Sequence, residues 1–220
     1  AATFANLTLD KSGNGYDLVA TSGGLTLATS AGFNVTVGPA TQLLYTAPPT
    51  QENAGVTIAP NVTVAIADAG GNTVLGATNV VTVALAANPA GGVLSGTLPK
   101  AAVGGVATFN DLSIDKIGVG YTLSAAATGL TPVTSGPFDI TVGAAAKMIV
   151  TVQPSNVTAG ASIGPSIQVQ LADAANNPLT TAGVTVTFAI GTNPSAGVLS
   201  GIFNQLTNGA GIATFNDLSI

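Results

Sequence analysis

The tripeptide Ala2-Thr3-Phe4 returns as Ala107-Thr108-Phe109 and again as Ala213-Thr214-Phe215. Residues 2–38 and 107–143 align without a gap and are identical at more than half their positions, including Asp10-Lys11 against Asp115-Lys116 and Gly15-Tyr16 against Gly120-Tyr121. A second block repeats too: Asn88-Pro89 and Val93-Leu94-Ser95-Gly96 return as Asn193-Pro194 and Val198-Leu199-Ser200-Gly201. An internal period of about 105 residues constrains the chain more than any local propensity, because each period must be built as the same unit.

Within a period the apolar residues come as short Val/Ile/Leu/Phe alternations broken by Gly, Pro, Asn and Thr, which is the two-residue period of strands. The predicted strands carry Leu43/Tyr45, Val62/Val64/Ile66, Val81/Val83/Leu85, Val106–Phe109, Tyr121/Leu123/Ala125 and Phe138/Ile140/Val142. Ile167/Val169/Leu171 and Val186/Phe188/Ile190 reproduce the pattern later in the chain. The alternation slips between Phe109 and Leu112/Ile114, which predicts a bulge at Asn110-Asp111. No stretch has a helical period. The period matches one seven-stranded immunoglobulin-like sandwich, and the fold expected is all-β: tandem immunoglobulin-like Greek-key sandwiches.

The parallel endings Val37-Gly38 and Val142-Gly143, each followed by small residues, mark the joints. Residues 39–143 are then one complete repeat, 1–38 the last strands of a preceding one, and 144–220 the first strands of a following one. The start of the chain lacks a charged and then apolar leader, and both ends fall inside repeats, as in an excerpt of something longer. Residues 1–38 supply the late strands that 144–220 need, so the start of one copy could complete the end of another by strand addition. One continuous polypeptide cut at the segment limits accounts for the same pattern.

Composition removes most chemistry. There is no His, Cys or Arg, so zinc ligation, imidazole bases and thiol nucleophiles are missing. Four Lys against a net charge of −5 leave nothing to track a phosphate backbone, which excludes nucleic acid. Charged residues are only 6% of the chain, yet no apolar run is long enough to cross a membrane as a helix. Nine acidic residues lie mostly singly at turns, unlike the facing pair of a glycosidase. No enzyme is expected.

The blocks Gly105–Lys116 and Gly118–Ala125, together with Val152-Gln153-Pro154, Ala159-Gly160, Leu171-Ala172-Asp173-Ala174 and Asn177, resemble the bacterial immunoglobulin-like tandem repeats of large surface and extracellular proteins. The resemblance covers essentially the whole chain. It implies sandwiches strung in tandem, an extracellular or cell-surface place, and a role in stalks, adhesins or fibres; it implies no ligand. The first copy departs at Ala5-Asn6 and Leu27-Ala28, where the second has Asn110-Asp111 and Pro132-Val133.

Tyr16 and Tyr121 each follow a glycine at a strand start and precede a core leucine by two residues, the place of the tyrosine corner whose hydroxyl bonds back to nearby backbone. An ordinary buried tyrosine is the alternative. Asp68 and Asp173 sit at matching turns; calcium takes six to eight oxygens, and one carboxylate with Asn amides suits an Asx turn better. Asp10-Lys11 and Asp115-Lys116 invite a Lys–Asn crosslink, but adjacent residues before a Gly-rich bend suit a solvated turn. Asn6, Asn34, Asn61 and Asn156 head glycosylation sequons, with Asn34 expected to point outward; such motifs arise by chance in an Asn/Thr-rich chain. A carbohydrate-binding sandwich would present Trp or Tyr, and only Tyr45 is left for that role. The expected partners are therefore other copies or adjacent repeats, in a self-associating filament or in the stalk of an adhesin whose binding domain lies elsewhere.

Overall fold

The computed structural model describes residues 2–220, and every regular element among them is a β-strand. Ala1, the first residue of the predicted 1–38 segment, lies outside the described residues. The described chain divides into two compact units. One takes in the chain up to Glu52, Val56–Ile114 and Gly118–Asp139; the other takes in Asn53–Gly55, Asp115–Ile117 and Ile140–Ile220.

In the first unit Val62–Ala67 lies between Gln42–Ala47 and Val106–Phe109, antiparallel to both, with Leu43 opposite Ile66 and Ala107 opposite Val64. A second sheet runs Pro99–Ala101, Val80–Ala87, Gly118–Ala126, and reaches Phe138–Thr141, the strand in which the division between the units falls; Val133–Thr134 also pairs with Gly118–Ala126. The predicted alternation decides what is inside. Val62, Val64 and Ile66 from one sheet, and Val81, Val83, Tyr121, Leu123 and Ala125 from the other, are all buried. Removing each large apolar side chain from water contributes about 1.5–3 kcal/mol. The several sheets, and the absence of helix among the described residues, are consistent with a β-sandwich.

Tyr45 reaches from one sheet to the other. The Tyr45 hydroxyl donates to the Leu123 carbonyl at 3.2 Å, and burial pushes its pKa up. Half-buried and engaged, Tyr45 is no exposed platform for a sugar. Leu123 O also accepts the Ser135 N–H, so it keeps a partner without the phenol. Tyr45→Phe is therefore expected to cost only about 0.5–1 kcal/mol in urea denaturation. A loss of several kcal/mol would show that the hydroxyl secures more than this bond.

The slip at Asn110-Asp111 is not a bulge. The strand Val106–Phe109 ends there, and Ser113–Ile114 pairs with Leu94–Ser95, while Val106–Phe109 pairs with Val62–Ala67. Asp111 fixes this change of partner: its Oδ2 accepts the Thr97 N–H at 3.0 Å and the Thr97 hydroxyl at 2.6 Å. Leu112 and Ile114 stay in the core.

In the second unit Ile167–Ala172 lies between Lys147–Val152 and Ile212–Phe215. Ile167, Val169, Val186, Ala213, Phe215 and Leu218 form its core. The strand expected through Ile190 stops at Thr187. Its counterpart Val80–Ala87 has Pro99–Ala101 on one side and Gly118–Ala126 on the other, whereas among the described residues Thr185–Thr187 pairs with Asn204–Leu206 alone.

Residues 13–35, within the first unit, make two short ladders: Gly13–Tyr16 with Phe33–Val35, and Val19–Ala20 with Ala28–Thr29. Val19 opposite Thr29 and Ala20 opposite Ala28 match the register of Ser124 opposite Thr134 and Ala125 opposite Val133. Burial does not match. Phe4 is 72% exposed where Phe109 is 0%, and Leu18 is 44% exposed where Leu123 is 0%.

Candidate functional site

The turn from Asp68 to Asn72 reverses the chain after Val62–Ala67 and needs one residue in the left-handed region. Gly71 supplies it at φ 76°, and Asn176 does so at φ 70° in the corresponding turn of the second unit. Glycine has no Cβ to clash there, and Asn is among the few other residues that tolerate it.

The turn closes around a buried carboxylate. Asp68 Oδ1 accepts the N–H groups of Gly70 and Asn72, both at 2.9 Å, and Oδ2 accepts the Gly38 N–H at 2.8 Å. The Asn72 amide donates to the same carboxylate and, at 2.7 Å, to the Asp10 carbonyl. Asn72 Oδ1 accepts from Ser12 N at 3.0 Å, and Lys11 Nζ donates to the Gly70 carbonyl at 2.8 Å. One turn thus grips the chain at Asp10–Ser12 and at Gly38, which makes it a clasp. Among these groups the hydrogen bond from Asn72 N does most to lower the Asp68 pKa, helped by Gly38 N, against some burial, from an ordinary 3.8 to about 2.

The second unit holds the same device. Asp173 accepts from Ala175 N, Asn177 N and Gly143 N at 2.9, 2.8 and 3.2 Å, and Asn177 Nδ2 donates to the Asp115 carbonyl at 3.0 Å. Burial pushes the Asp173 pKa up, but the donors from Asn177, Gly143 and Ala175 outweigh it and the net shift is downward. The contacts to Gly143 and Asp115 are longer than those to Gly38 and Asp10. The difference tracks one residue: a Cβ at Gly70 would run into the Asp10 carbonyl, and the second unit carries Ala175 at that place.

N–H donors converging on each carboxylate are the opposite of a cation site, where lone pairs must point at the ion. Asp68 and Asp173 therefore hold backbone, and nothing in their geometry selects calcium. The clasp does gather the groups of a Lys–Asn crosslink, namely Lys11, Asn72 and Asp68. Their state is wrong for it: the amine donates to Gly70 O, and a carboxyl held near 2 is ionised at neutral pH and has no proton to give the amide. Asp10, Lys11 and Lys116 are exposed, and the carbonyls of Asp10 and Asp115 are in addition held by Asn72 and Asn177.

Tyr16 Oη donates to the Lys11 carbonyl at 3.0 Å, next to the clasp. Its ring lies 6.1 Å from Phe33, and Tyr121, fully buried, lies 6.2 Å from Phe138 at nearly the same tilt. Each ring packs on a glycine: a Cβ at Gly13 or Gly118 would come within 3.0 or 2.9 Å of Cε2. Of the sequon asparagines, Asn6, Asn34, Asn61 and Asn156 are all exposed. Asn34 also has a local role, since its Oδ1 accepts the Gly15 N–H at 2.9 Å, as Asp139 Oδ1 does for Gly120.

Asn72, Asn177, Gly38 and Gly143 are the clasp residues not singled out as functional from sequence. The signal was present in the Asp-x-x-x-Asn spacing at 68–72 and 173–177, and in the Val-Gly pairs 30 residues before each Asp. Set against models of known protein families and against curated protein sequences, the chain matches none.

Proposed function

We propose that this chain is a structural element of an extracellular fibre or filament, built of tandem immunoglobulin-like Greek-key repeats with a period of about 105 residues, and that it self-associates. The observation carrying this reading is the repeated unit, in which the same carboxylate clasp recurs at Asp68 and Asp173, 105 residues apart. Phe4, Leu7, Leu18 and Val19 are exposed and line one pocket, and contiguous apolar surface of this kind suits association. Low charge supports it, because little like-charge repulsion opposes contact between copies. The resemblance to surface repeats supports the extracellular place.

The expected result is concentration-dependent association of the 220-residue chain by sedimentation velocity, undiminished in about 1 M salt, where exposed charge pairs are screened. A monomer at all concentrations overturns the reading.

The clasps favour a second role, as the spacer of a surface stalk. Each fixes backbone at a joint expected between repeats, which suits a chain that must hold its length under load. Electron microscopy of native material separates the two: laterally packed filaments in one case, isolated strings in the other.

A further inference from the structure

The chain carries two Asn-Gly pairs, Asn14-Gly15 and Asn208-Gly209. In such a pair no side chain on the glycine hinders its nitrogen from turning on the preceding Asn side chain. The fold treats the two pairs differently. The Gly15 N–H is tied to Asn34 Oδ1 at 2.9 Å, and Asp139 Oδ1 ties Gly120 in the same way. The Gly209 N–H has no hydrogen-bond partner among the described residues.

Asn208 heads a turn of the second unit whose ends are fixed. Thr207 before it is buried; its N–H donates to the Val184 carbonyl at 2.9 Å, and its hydroxyl accepts the Val184 N–H at 3.0 Å. The Asn208 carbonyl accepts the Gly211 N–H at 2.9 Å, and the Asn208 N–H donates to the Ile212 carbonyl at 2.9 Å. Between these ends Asn208, Gly209 and Ala210 are open to water, as Val103 and Gly104 are in the corresponding turn of the first unit. The Asn208 side chain folds back over this turn: Oδ1 accepts the N–H groups of Ala210 at 2.9 Å and Ile212 at 3.1 Å. Two donors on an amide oxygen draw electrons from Cγ, and they face the negative charge that collects on that oxygen when Cγ is attacked. A backbone and side chain already held in place also lower the entropic barrier to ring closure.

We propose that Asn208 is a self-modification site, which converts to aspartate without an enzyme. The Gly209 nitrogen gives its proton to hydroxide and bonds to Asn208 Cγ. The Cγ–Nδ2 bond breaks, and the amide nitrogen leaves as ammonia with a proton taken from water. The resulting five-membered imide is opened by water at Cγ, which breaks the new bond to the Gly209 nitrogen and leaves a carboxylate. The net change is water in and ammonia out. Opening at Cγ keeps the backbone path, and the new carboxylate finds the N–H groups two and four residues on, the same two that Asp68 Oδ1 accepts in its own turn. Opening at the backbone carbonyl would give isoaspartate, whose extra backbone carbon does not fit between the anchored Thr207 and Gly211.

The test is ageing of the 220-residue chain in mildly alkaline buffer, with peptide mapping by mass spectrometry and an isoaspartate methylation assay. Asn208 is expected to convert on the order of tenfold faster than Asn14, a difference of about 1.4 kcal/mol in barrier, and to give mostly aspartate. In concentrated urea the two sites should react alike. Gly209→Ala, where a Cβ meets open space and φ is not left-handed, should slow conversion by about tenfold and leave the urea midpoint unchanged. Equal rates at Asn14 and Asn208 in the folded chain overturn the proposal. So does an Asn208 that reacts more slowly folded than in urea, which would make the turn a shield, or a product that is mainly isoaspartate.

Discussion

Replacing Phe109 by alanine is expected to destabilise the first unit by about 3–5 kcal/mol, while the same change at Phe4 leaves the stability of the isolated chain nearly unchanged. The two phenylalanines occupy the same place in the repeated tripeptide and differ only in surroundings. Phe109 is wholly buried, at the end of a strand registered against Val62. Its removal strips the transfer free energy of a benzyl group and leaves a cavity that rigid sheets collapse into only in part. Phe4 is 72% exposed, so alanine there removes surface already in water. Phe215→Ala should behave like Phe109→Ala, since Phe215 is buried and meets Phe188 edge-on at a centroid distance of 4.6 Å. Urea denaturation at low protein concentration measures all three. Equal losses at positions 4 and 109 would mean that Phe4 is covered in solution. A loss at Phe4 that grows with protein concentration would mean that another copy covers it.

That contrast shows where sequence reading stops. Alternation placed Val62, Val64, Ile66, Val81, Val83, Tyr121 and Leu123 inside without any coordinates, because a two-residue period with one buried face admits only one register. The same reasoning assigned Leu18 the role of Leu123 and Phe4 the role of Phe109, and there it ran ahead of the chain. A pattern records which face a strand would bury, not whether a partner is present to bury it. The expected bulge at Asn110-Asp111 failed for a related reason. A slip in alternation fits either an extra residue within one ladder or a change of ladder, and only the pairing of Ser113–Ile114 with Leu94–Ser95 distinguishes them. The clasp was half legible. Asp68 and Asp173 stood out as turn residues, but their distant partners Gly38 and Gly143 are glycines that act through backbone N–H groups, and backbone donors leave no mark in side-chain chemistry.

The clasp makes the second large prediction, a loss of grip in acid. A carboxylate that accepts N–H groups from Asn72, Gly38 and Gly70 is favoured in its charged form, so Asp68 binds its proton less readily folded than unfolded. The sign follows from the lowered value: the stabilisation is complete above the ordinary 3.8 and is lost as pH falls through about 2. Asp173 is shifted the same way, so both clasps should weaken in the window below 3.8. The direct measurement is the Gly38 amide, whose chemical shift and exchange protection should follow the Asp68 carboxyl with a midpoint near 2. Asp68→Asn replaces one acceptor oxygen by an N–H donor, which must face either the Gly38 or the Asn72 N–H. The variant should lose Gly38 protection at neutral pH and show no further change on acidification, while Gly143, held by Asp173, keeps its own acid transition. A wild-type midpoint near 3.8 would place the Asp68 carboxylate in water, and the turn would then grip Asp10 and Gly38 no more firmly than any surface loop.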